Sequence, residues 1–285
     1  MTDLDPTLVT RLVSEALEED HAFEDITTRA LVPADQRGRA VLIAKADGVL
    51  AGLPFARTTF EAVDPGLHWT ADRADGDPIA PGDRIAAVEG SLASILGGER
   101  VALNYLTHLS GVATAANRVV RLLEGTDCQL RDTRKTLPGL RAAEKYATRM
   151  GGAINHRNDL SAGVLVKDNH LAALASRELG VADAVRMLKS RKLARAVEIE
   201  VETLDAARQA ADAGAAELLL DNMTPDQVRE VVQTLGADCP VIEASGGITE
   251  ANARAYAEAG ADFISMGAIT HSAPALDISL EVEPL

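Results

Sequence analysis

Hydrophobic and polar positions follow three successive patterns along this 285-residue chain. After Asp5-Pro6 the apolar residues recur at helical spacing, which predicts an amphipathic helix with a capped start. Between about residues 40 and 88 the apolar runs are short and are separated by Asp-Gly and Pro-Gly turns. That pattern is typical of an antiparallel sheet. We expect one helix within it, near LPFARTTFEAV, and a long helix from about Leu92.

After Gly125 short apolar runs alternate with helix-like stretches, a pattern that predicts a parallel sheet covered by helices. The predicted strands are CQLRD, GVLVKD, AVEIEVE, AELLLDN, PVIEAS and DFISMG. Two helix–strand units match each other, and Gly214 and Gly260 stand where the helix end requires a positive φ. Nearly every strand ends in a polar group. This favours a barrel, because the strand ends of an α/β barrel converge on one face, whereas no GxGxxG supports a dinucleotide fold.

Composition and charge argue against several classes of protein, namely nucleic-acid-binding, membrane-spanning and secreted ones. The net charge of −15 argues against a nucleic-acid partner. No apolar run approaches the roughly 18 residues of a membrane helix, and the first 20 residues lack a signal-peptide pattern. Cys128 and Cys239 show no CxxC spacing, which is typical of a reducing compartment, so we expect a cytoplasmic protein.

Basic residues nevertheless concentrate between Arg131 and His170, a segment that contains eight basic and four acidic residues. This predicts that an anion is bound there. Arg134-Lys135, His156-Arg157 and Lys167 are the candidate ligands, because arginine presents a planar fork to carboxylates and lysine a compact charge to phosphate. In contrast, we expect Arg141, Lys145 and Arg149 to form a solvated helical stripe, and His108 to be a core or interface residue.

Two glycine-bearing strand ends predict a phosphate site. Backbone N–H groups of Ser245, Gly246 and Gly247, with those around Gly267, are suited to cradle phosphate oxygens. Barrel enzymes often place a phosphate after their seventh and eighth strands. His271 follows the second of these segments, and we expect it beside the phosphate.

Carboxylates mark two further strands. EIEVE alternates, so Glu198, Glu200 and Glu202 project to one face. That face belongs either to a solvated edge strand or to a barrel mouth, where carboxylates meet Mg²⁺ or a developing positive charge. Asp221 ends a later strand, and Mg²⁺ prefers carboxylate and phosphate oxygens. No HxH or HExxH spacing indicates a transition-metal site. The residues alone thus indicate a Mg²⁺-assisted barrel enzyme for a phosphate ester and a small polycarboxylate.

The segments RDTRKTLPGLRAAEKYATRMGGAINHR and GVLVKDNH closely resemble the quinolinate phosphoribosyltransferases. Supporting segments follow in the family's order: ERVALNYLTHLSGVAT, EIEVE, LLLDNM, EASGGI and GAITHSAPALDISL. The resemblance extends over essentially the whole chain. It implies transfer of phosphoribose from phosphoribosyl pyrophosphate (PRPP) to the ring nitrogen of quinolinate. Loss of CO₂ then gives nicotinate mononucleotide for NAD biosynthesis, and diphosphate is released.

The resemblance also implies a fold and an assembly. The fold is α/β, with a sandwich-like N-terminal α/β domain over residues 1–115 and an open α/β barrel over residues 116–270. The C-terminal tail, residues 271–285, packs back on the first domain. The assembly is a homodimer, or an assembly of dimers, with shared active sites.

Roles for individual residues follow from the same resemblance. Arg134, His156, Arg157 and Lys167 would bind the quinolinate carboxylates, joined by the partner subunit's Arg100. Lys135 would contact PRPP, while Glu200 and Asp221 would hold Mg²⁺–diphosphate, directly or through water, or face the ribose. The ribose 5′-phosphate site would be lined by Ser245, Gly246, Gly247, Gly267 and His271.

Two alternatives remain open at this point. One is a related barrel phosphoribosyltransferase of the ModD-like kind acting on another acid. The other is a non-catalytic protein that binds a phosphoribosyl ligand, although such a binder would not need Glu200 and Asp221 beside the leaving group. One departure from the family pattern bears on substrate preference: NDLSAG replaces an apolar stretch, and Asn158 and Asp159 bring polarity close to the carboxylate site.

Overall fold

The computed structural model describes residues 4–191 and 196–284, which divide into two compact units. The first unit comprises a segment that ends at Asn117, the segment Leu137–Gly152 and a segment that begins at Ser272. The second comprises Arg118–Thr136 and Ala153–His271. The boundaries proposed from the sequence, after residues 115 and 270, stay a prediction.

The first unit is built on an antiparallel sheet. Its strands are β1 (Arg37–Ala44), β2 (Gly48–Val49), β3 (His68–Ala71), β4 (Pro78–Ile79), β5 (Arg84–Ser91) and β12 (Ile278–Pro284). Its helices are α1 (Pro6–Glu19), α2 (Ile26–Leu31), α3 (Leu53–Val63), α5 (Arg141–Met150) and most of α4 (Leu92–Leu122). The main sheet has the order β12-β1-β5-β3, and β2 pairs with β4. The predicted antiparallel sheet, the helix at LPFARTTFEAV and the long helix are therefore confirmed.

Local chemistry explains where α1 begins. The Asp5 carboxylate accepts a hydrogen bond from the backbone N–H of Thr7 at 2.9 Å, and Pro6 occupies the first turn. Both features suit a helix start, because the first N–H groups have no partner within the helix. The face that carries Val9, Leu12 and Val13 is buried, as the apolar spacing predicts.

Helix α5 corrects one expectation. Lys145 is only 2% exposed, so the prediction of a solvated stripe is wrong at this position. Helical spacing identifies a shared face, but tertiary packing decides whether that face is covered. The neighbouring Glu144 is fully buried, accepts from Leu137 N at 3.1 Å and pairs with His108 Nε2 at 3.0 Å. His108 is thus a half-buried residue partnered by a buried carboxylate, in line with the expected core or interface role.

The second unit is built on a parallel sheet. Its strands are β6 (Gln129–Arg131), β7 (Val164–Val166), β8 (Val197–Val201), β9 (Glu217–Asp221), β10 (Val241–Ser245) and β11 (Phe263–Ser265). Its helices are α6 (Asp168–Ala175), α7 (Val181–Ser190), α8 (Leu204–Asp212), α9 (Pro225–Leu235), α10 (Ala253–Glu258) and α11 (Ala268–His271). The strand order is β6-β11-β10-β9-β8-β7, and every pairing is parallel. All the strands predicted after Gly125 are confirmed.

The register of this sheet separates an apolar face from a polar one. Glu200 pairs with Leu219, Leu219 with Glu243, and Asp221 with Ser245, so these residues share one face. The alternate positions, such as Ile199 and Leu218, are fully buried on the opposite face. Gly214 and Gly260, with φ of 85° and 101°, end the helices before β9 and β11 as predicted. In the described part of the chain, no helix is both long and apolar enough to cross a membrane.

Candidate active site

The carboxyl ends of the parallel strands surround a cavity of about 200 Å³ within the second unit. Its lining includes eight of the residues singled out from the sequence: Arg134, Lys135, His156, Arg157, Lys167, Glu200, Asp221 and Ser245. Parallel strands bring their carboxyl ends to one side, which is where α/β barrels hold their active sites. The sheet therefore brings residues that are more than 100 positions apart in the sequence together in one polar site.

Glycines at two neighbouring strand ends allow other groups to approach the backbone closely. A Cβ on Gly267 would lie 2.8 Å from Lys135 Cδ and 3.2 Å from His271 Nε2, so Gly267 lies against both side chains. Gly246 and Gly247 both have positive φ, at 83° and 63°, a backbone conformation that glycine adopts without strain. Loops of this kind turn backbone N–H groups toward an anion. The residues predicted to line a phosphate site thus follow the adjacent strands β10 and β11.

Two arginines, Arg134 and Arg157, line the cavity side by side. Among the described residues, Arg134 Nε is buried and has no hydrogen-bond partner. Arg157 Nη1 donates to Gly163 O at 3.3 Å. Burial lowers the pKa of Arg157, and the charge of Arg134 lowers it further. Two cations that repel each other in a partly dry site favour an anion between them, because a buried charge is stable only when it is paired.

Carboxylates face the same cavity from β8 and β9. Glu200 is 8% exposed and accepts from Lys167 Nζ at 2.5 Å. Burial raises the pKa of Asp221, and the charge of Glu200 adds to that increase. Since β8 lies between β7 and β9, the alternative of a solvated edge strand is wrong for EIEVE. Glu202, beyond the end of the strand, is exposed.

A second set of charges lies deeper on the same face of the sheet, and we call Arg131, His156, Glu198, Glu217 and Glu243 the buried charged layer. Arg131 Nη1 pairs with Glu243 Oε2 at 2.6 Å and also with Glu217. His156 Nε2 lies 3.0 Å from Glu198 Oε2 and 3.7 Å from Glu243 Oε2. Burial raises the pKa of Glu243, and the charge of Glu198 raises it further. Sequence reasoning missed Glu243, although its alternation with Ser245 in VIEAS places both on one face.

Comparison with known families decides which family this chain represents. Residues 25–110 match the N-terminal domain of quinolinate phosphoribosyl transferase, and residues 112–281 match its C-terminal domain. The chain belongs to the quinolinate phosphoribosyl transferase family.

Individual members of the quinolinate phosphoribosyl transferase family align along the whole chain. The human carboxylating nicotinate-nucleotide pyrophosphorylase is 40% identical over 284 residues, covering 98% of this chain and 93% of the human protein. The enzyme of that name from Mycobacterium leprae is 38% identical, covering 95% of each chain. The solved structure of NadC from Streptococcus pyogenes superposes with a TM-score of 0.93 at 37% identity and full coverage of both chains. The predicted fold, an N-terminal domain followed by an α/β barrel, is confirmed.

Arg100, which the family resemblance assigns to the acceptor site, and Asp159, which departs from the family pattern, both lie outside the cavity lining. Arg100 is exposed on α4 in the first unit, and its role from a partner subunit stays a prediction. Asp159 accepts from Ser161 Oγ at 2.6 Å and from Ser161 N at 2.7 Å. These two hydrogen bonds, the side-chain one first, lower the pKa of Asp159. The carboxylate that departs from the family pattern is thus held in a local turn.

The buried charged layer makes a prediction about stability. We expect Arg131→Met to lower the free energy of unfolding by about 3 kcal/mol, because Glu243 and Glu217 lose the cation that offsets their burial. Urea unfolding at neutral pH measures this change, and Arg229→Met is the control, since its pair with Asp226 is exposed and contributes about 1 kcal/mol or less. Adding Glu243→Gln should restore part of the loss. An Arg131→Met protein as stable as the control would contradict this account.

Proposed function

We propose that this chain transfers phosphoribose from PRPP to quinolinate and releases diphosphate and CO₂, forming nicotinate mononucleotide. The observation that carries the proposal is the arginine pair in a chain of this family, with the buried Nε of Arg134 that no described residue partners. A pair of cations opposite carboxylates is suited to an acceptor with two carboxyl groups and a donor with a polyphosphate. A pocket for an uncharged base would not need the two arginines.

The acceptor site is formed by Arg134, Arg157 and Lys167. Hydrogen bonds between charged groups contribute about 1.5–3 kcal/mol each, so the three cations together discriminate strongly for a dicarboxylate. Arginine forks also fix the plane of a bound carboxylate. Orientation matters here, because the ring nitrogen of the acceptor must point at C1′ of the donor.

The donor site joins the glycine-bearing strand ends to the acidic ones. Ser245, Gly246, Gly247, Gly267 and His271 hold the ribose 5′-phosphate, and Lys135 contacts the diphosphate. The side chains of Glu200 and Asp221 fit Mg²⁺, since burial and then the charge of Glu200 raise the pKa of Asp221 and oxygen atoms are the ligands that Mg²⁺ prefers. When bound there, Mg²⁺ supplies positive charge that neutralises the departing diphosphate.

Charge placement accounts for both chemical steps. As the C1′–O bond breaks, the ribose gains positive charge, which the nearby carboxylates stabilise. The lone pair of the acceptor nitrogen forms the new C1′–N bond and leaves the ring nitrogen positive. The C–C bond to the 2-carboxylate then breaks to give CO₂, its electron pair is drawn toward the charged ring, and a proton takes the vacated carbon.

The direct test incubates purified protein with PRPP, Mg²⁺ and quinolinate and follows nucleotide and CO₂ together, with nicotinate as a parallel acceptor. Nicotinate mononucleotide from quinolinate alone supports the proposal. Product from another acid only would favour the ModD-like alternative, and binding of PRPP without turnover on any acid would favour a binding protein. We place the reaction in the cytosol, in line with the free thiols of Cys128 and Cys239.

A shared site between two copies gives a separate prediction. If the partner subunit's Arg100 completes the acceptor site, Arg100→Ala and Lys135→Ala are each inactive, but a mixed dimer regains one intact site. An equal mixture that exchanges freely should recover about a quarter of the wild-type activity, because half of the dimers are mixed and each has one intact site in two. Exchange is monitored by mass spectrometry of differently tagged subunits. Complete exchange without recovered activity would contradict the shared site.

A further inference from the structure

The ring of His156 is held by protein on both sides. Arg157 N–H donates to His156 Nδ1 at 2.8 Å, and His156 Nε2 lies 3.0 Å from Glu198 Oε2. A backbone N–H can only donate, so Nδ1 must accept. We therefore assign the proton, from the hydrogen-bond network, to Nε2, which donates to Glu198.

This tautomer argues against a metal at the same place. Ligand atoms of His156, Glu198 and Glu243 lie within 4.8 Å of one another. A histidine that binds metal through Nε2 needs an unprotonated Nε2 and donates its other N–H to an acceptor. Here Nδ1 meets a donor instead, and Arg131 already pairs with Glu243.

The charge of the ring follows from the same contact. Burial lowers the pKa of His156, but the hydrogen bond to Glu198 and the charge of Glu243 outweigh it and raise the pKa overall. A second proton would nevertheless have to sit on Nδ1, facing the Arg157 N–H at 2.8 Å. The neutral ring therefore fits the geometry, with Glu198, Glu243 and Arg131 as the charged groups around it.

We propose that His156 is a positioning residue that fixes the backbone of Arg157, rather than a ligand of a substrate carboxylate through its ring nitrogens. This inference rests on the proposed function for the role of Arg157 as an acceptor-site cation. The preceding backbone is fixed as well, since Asp132 Oδ1 accepts from His156 N at 2.9 Å and Asp132 Oδ2 from Asn155 Nδ2 at 2.6 Å. The half-buried His156, between Glu198 and Arg157 N–H, extends this support from the strand end to the arginine.

Two variants, each of which keeps a polar atom near only one ring nitrogen of His156, distinguish the roles of the two ring contacts. His156→Asn keeps an acceptor near the position of Nδ1, whereas His156→Gln keeps a donor near Nε2 and leaves the Arg157 N–H without an acceptor. For His156→Gln we expect about a tenfold loss of quinolinate affinity in calorimetry, and for His156→Asn a loss of about two- to threefold. The KM for PRPP should move less than about twofold in both variants. Equal losses of quinolinate affinity in the two variants would overturn the inference.

A spectroscopic measurement tests the tautomer without any substrate. In protein labelled with ¹⁵N-histidine, one of the six histidine signals should disappear in His156→Asn and thereby be assigned. We expect that signal to show an unprotonated Nδ1 and a protonated Nε2 at about pH 8, the basic end of the range in which histidine titrates, with no change when quinolinate is added. A doubly protonated ring, or a tautomer that changes with quinolinate, would overturn the inference. Wild-type protein that neither binds nor converts quinolinate would instead overturn the proposed function.

Discussion

Replacing Arg134 with lysine should lower kcat/KM for quinolinate by about a hundredfold while changing the KM for PRPP by less than about twofold. Lysine keeps the charge but loses the planar fork, and with it the buried Nε that has no partner among the described residues. The remaining donor cannot form two parallel hydrogen bonds to one carboxylate. Initial rates with one substrate varied at a time separate the two effects.

The same substitution at Arg229 provides the control, because that side chain pairs with Asp226 on an exposed helix face. Arg229→Lys should leave both kinetic constants at the wild-type values. Calorimetry on Arg134→Lys should then show weaker binding of quinolinate and unchanged binding of PRPP. Equal loss of both affinities would mean that Arg134 supports the cavity as a whole and does not recognise the acceptor.

Replacing Asp221 with asparagine should lower kcat by about a thousandfold. Asparagine keeps the size of the side chain but removes a negative charge from the place where we propose that C1′ becomes positive and that Mg²⁺ binds. Burial raises the pKa of Asp221, and the charge of Glu200 raises it further. The two carboxylates therefore face the same part of the cavity. We therefore also expect the Mg²⁺ concentration for half-maximal rate to rise in the variant.

Asp226→Asn is the matched control, since it removes the same charge five positions further along, from a side chain that is 92% exposed. Its rate and its response to Mg²⁺ should equal those of the wild type. If Asp221→Asn retained the wild-type kcat across a Mg²⁺ titration, neither the electrostatic role nor the metal role of Asp221 would stand.

Much of the fold could be predicted because the signals are local. The capped start at Asp5-Pro6, the turn dipeptides before residue 88 and the apolar runs after Gly125 each act within a few residues. The cavity could be anticipated for a similar reason, since polar residues at the ends of parallel strands must converge. Arg134, Lys167 and Asp221 line one cavity although more than 80 positions separate the first from the last.

Features that depend on distant partners could not be predicted in this way. Lys145 belongs to a polar helical stripe by spacing, but the packing of α5 buries it. Glu243 gains its importance from the register that sets it near Arg131, 112 positions away. The family resemblance assigns His156 to a substrate carboxylate. The structure instead shows its two ring nitrogens in contact with Arg157 N and Glu198. Register, burial and tautomer are properties of the assembled chain.

The position of β12 has a consequence for synthesis on the ribosome. β1 pairs with β5 on one side and with β12 on the other, and Leu42 lies opposite Leu280. Translation delivers β1 and β5 early, but the strand that covers the other side of β1 emerges only after the whole parallel sheet has been made. Until then the apolar segment AVLIA presents an open pairing edge, which other nascent chains can join. β1 is therefore made before the parallel sheet, but its second edge is covered only after that sheet, and chaperone protection during elongation matters most for that edge.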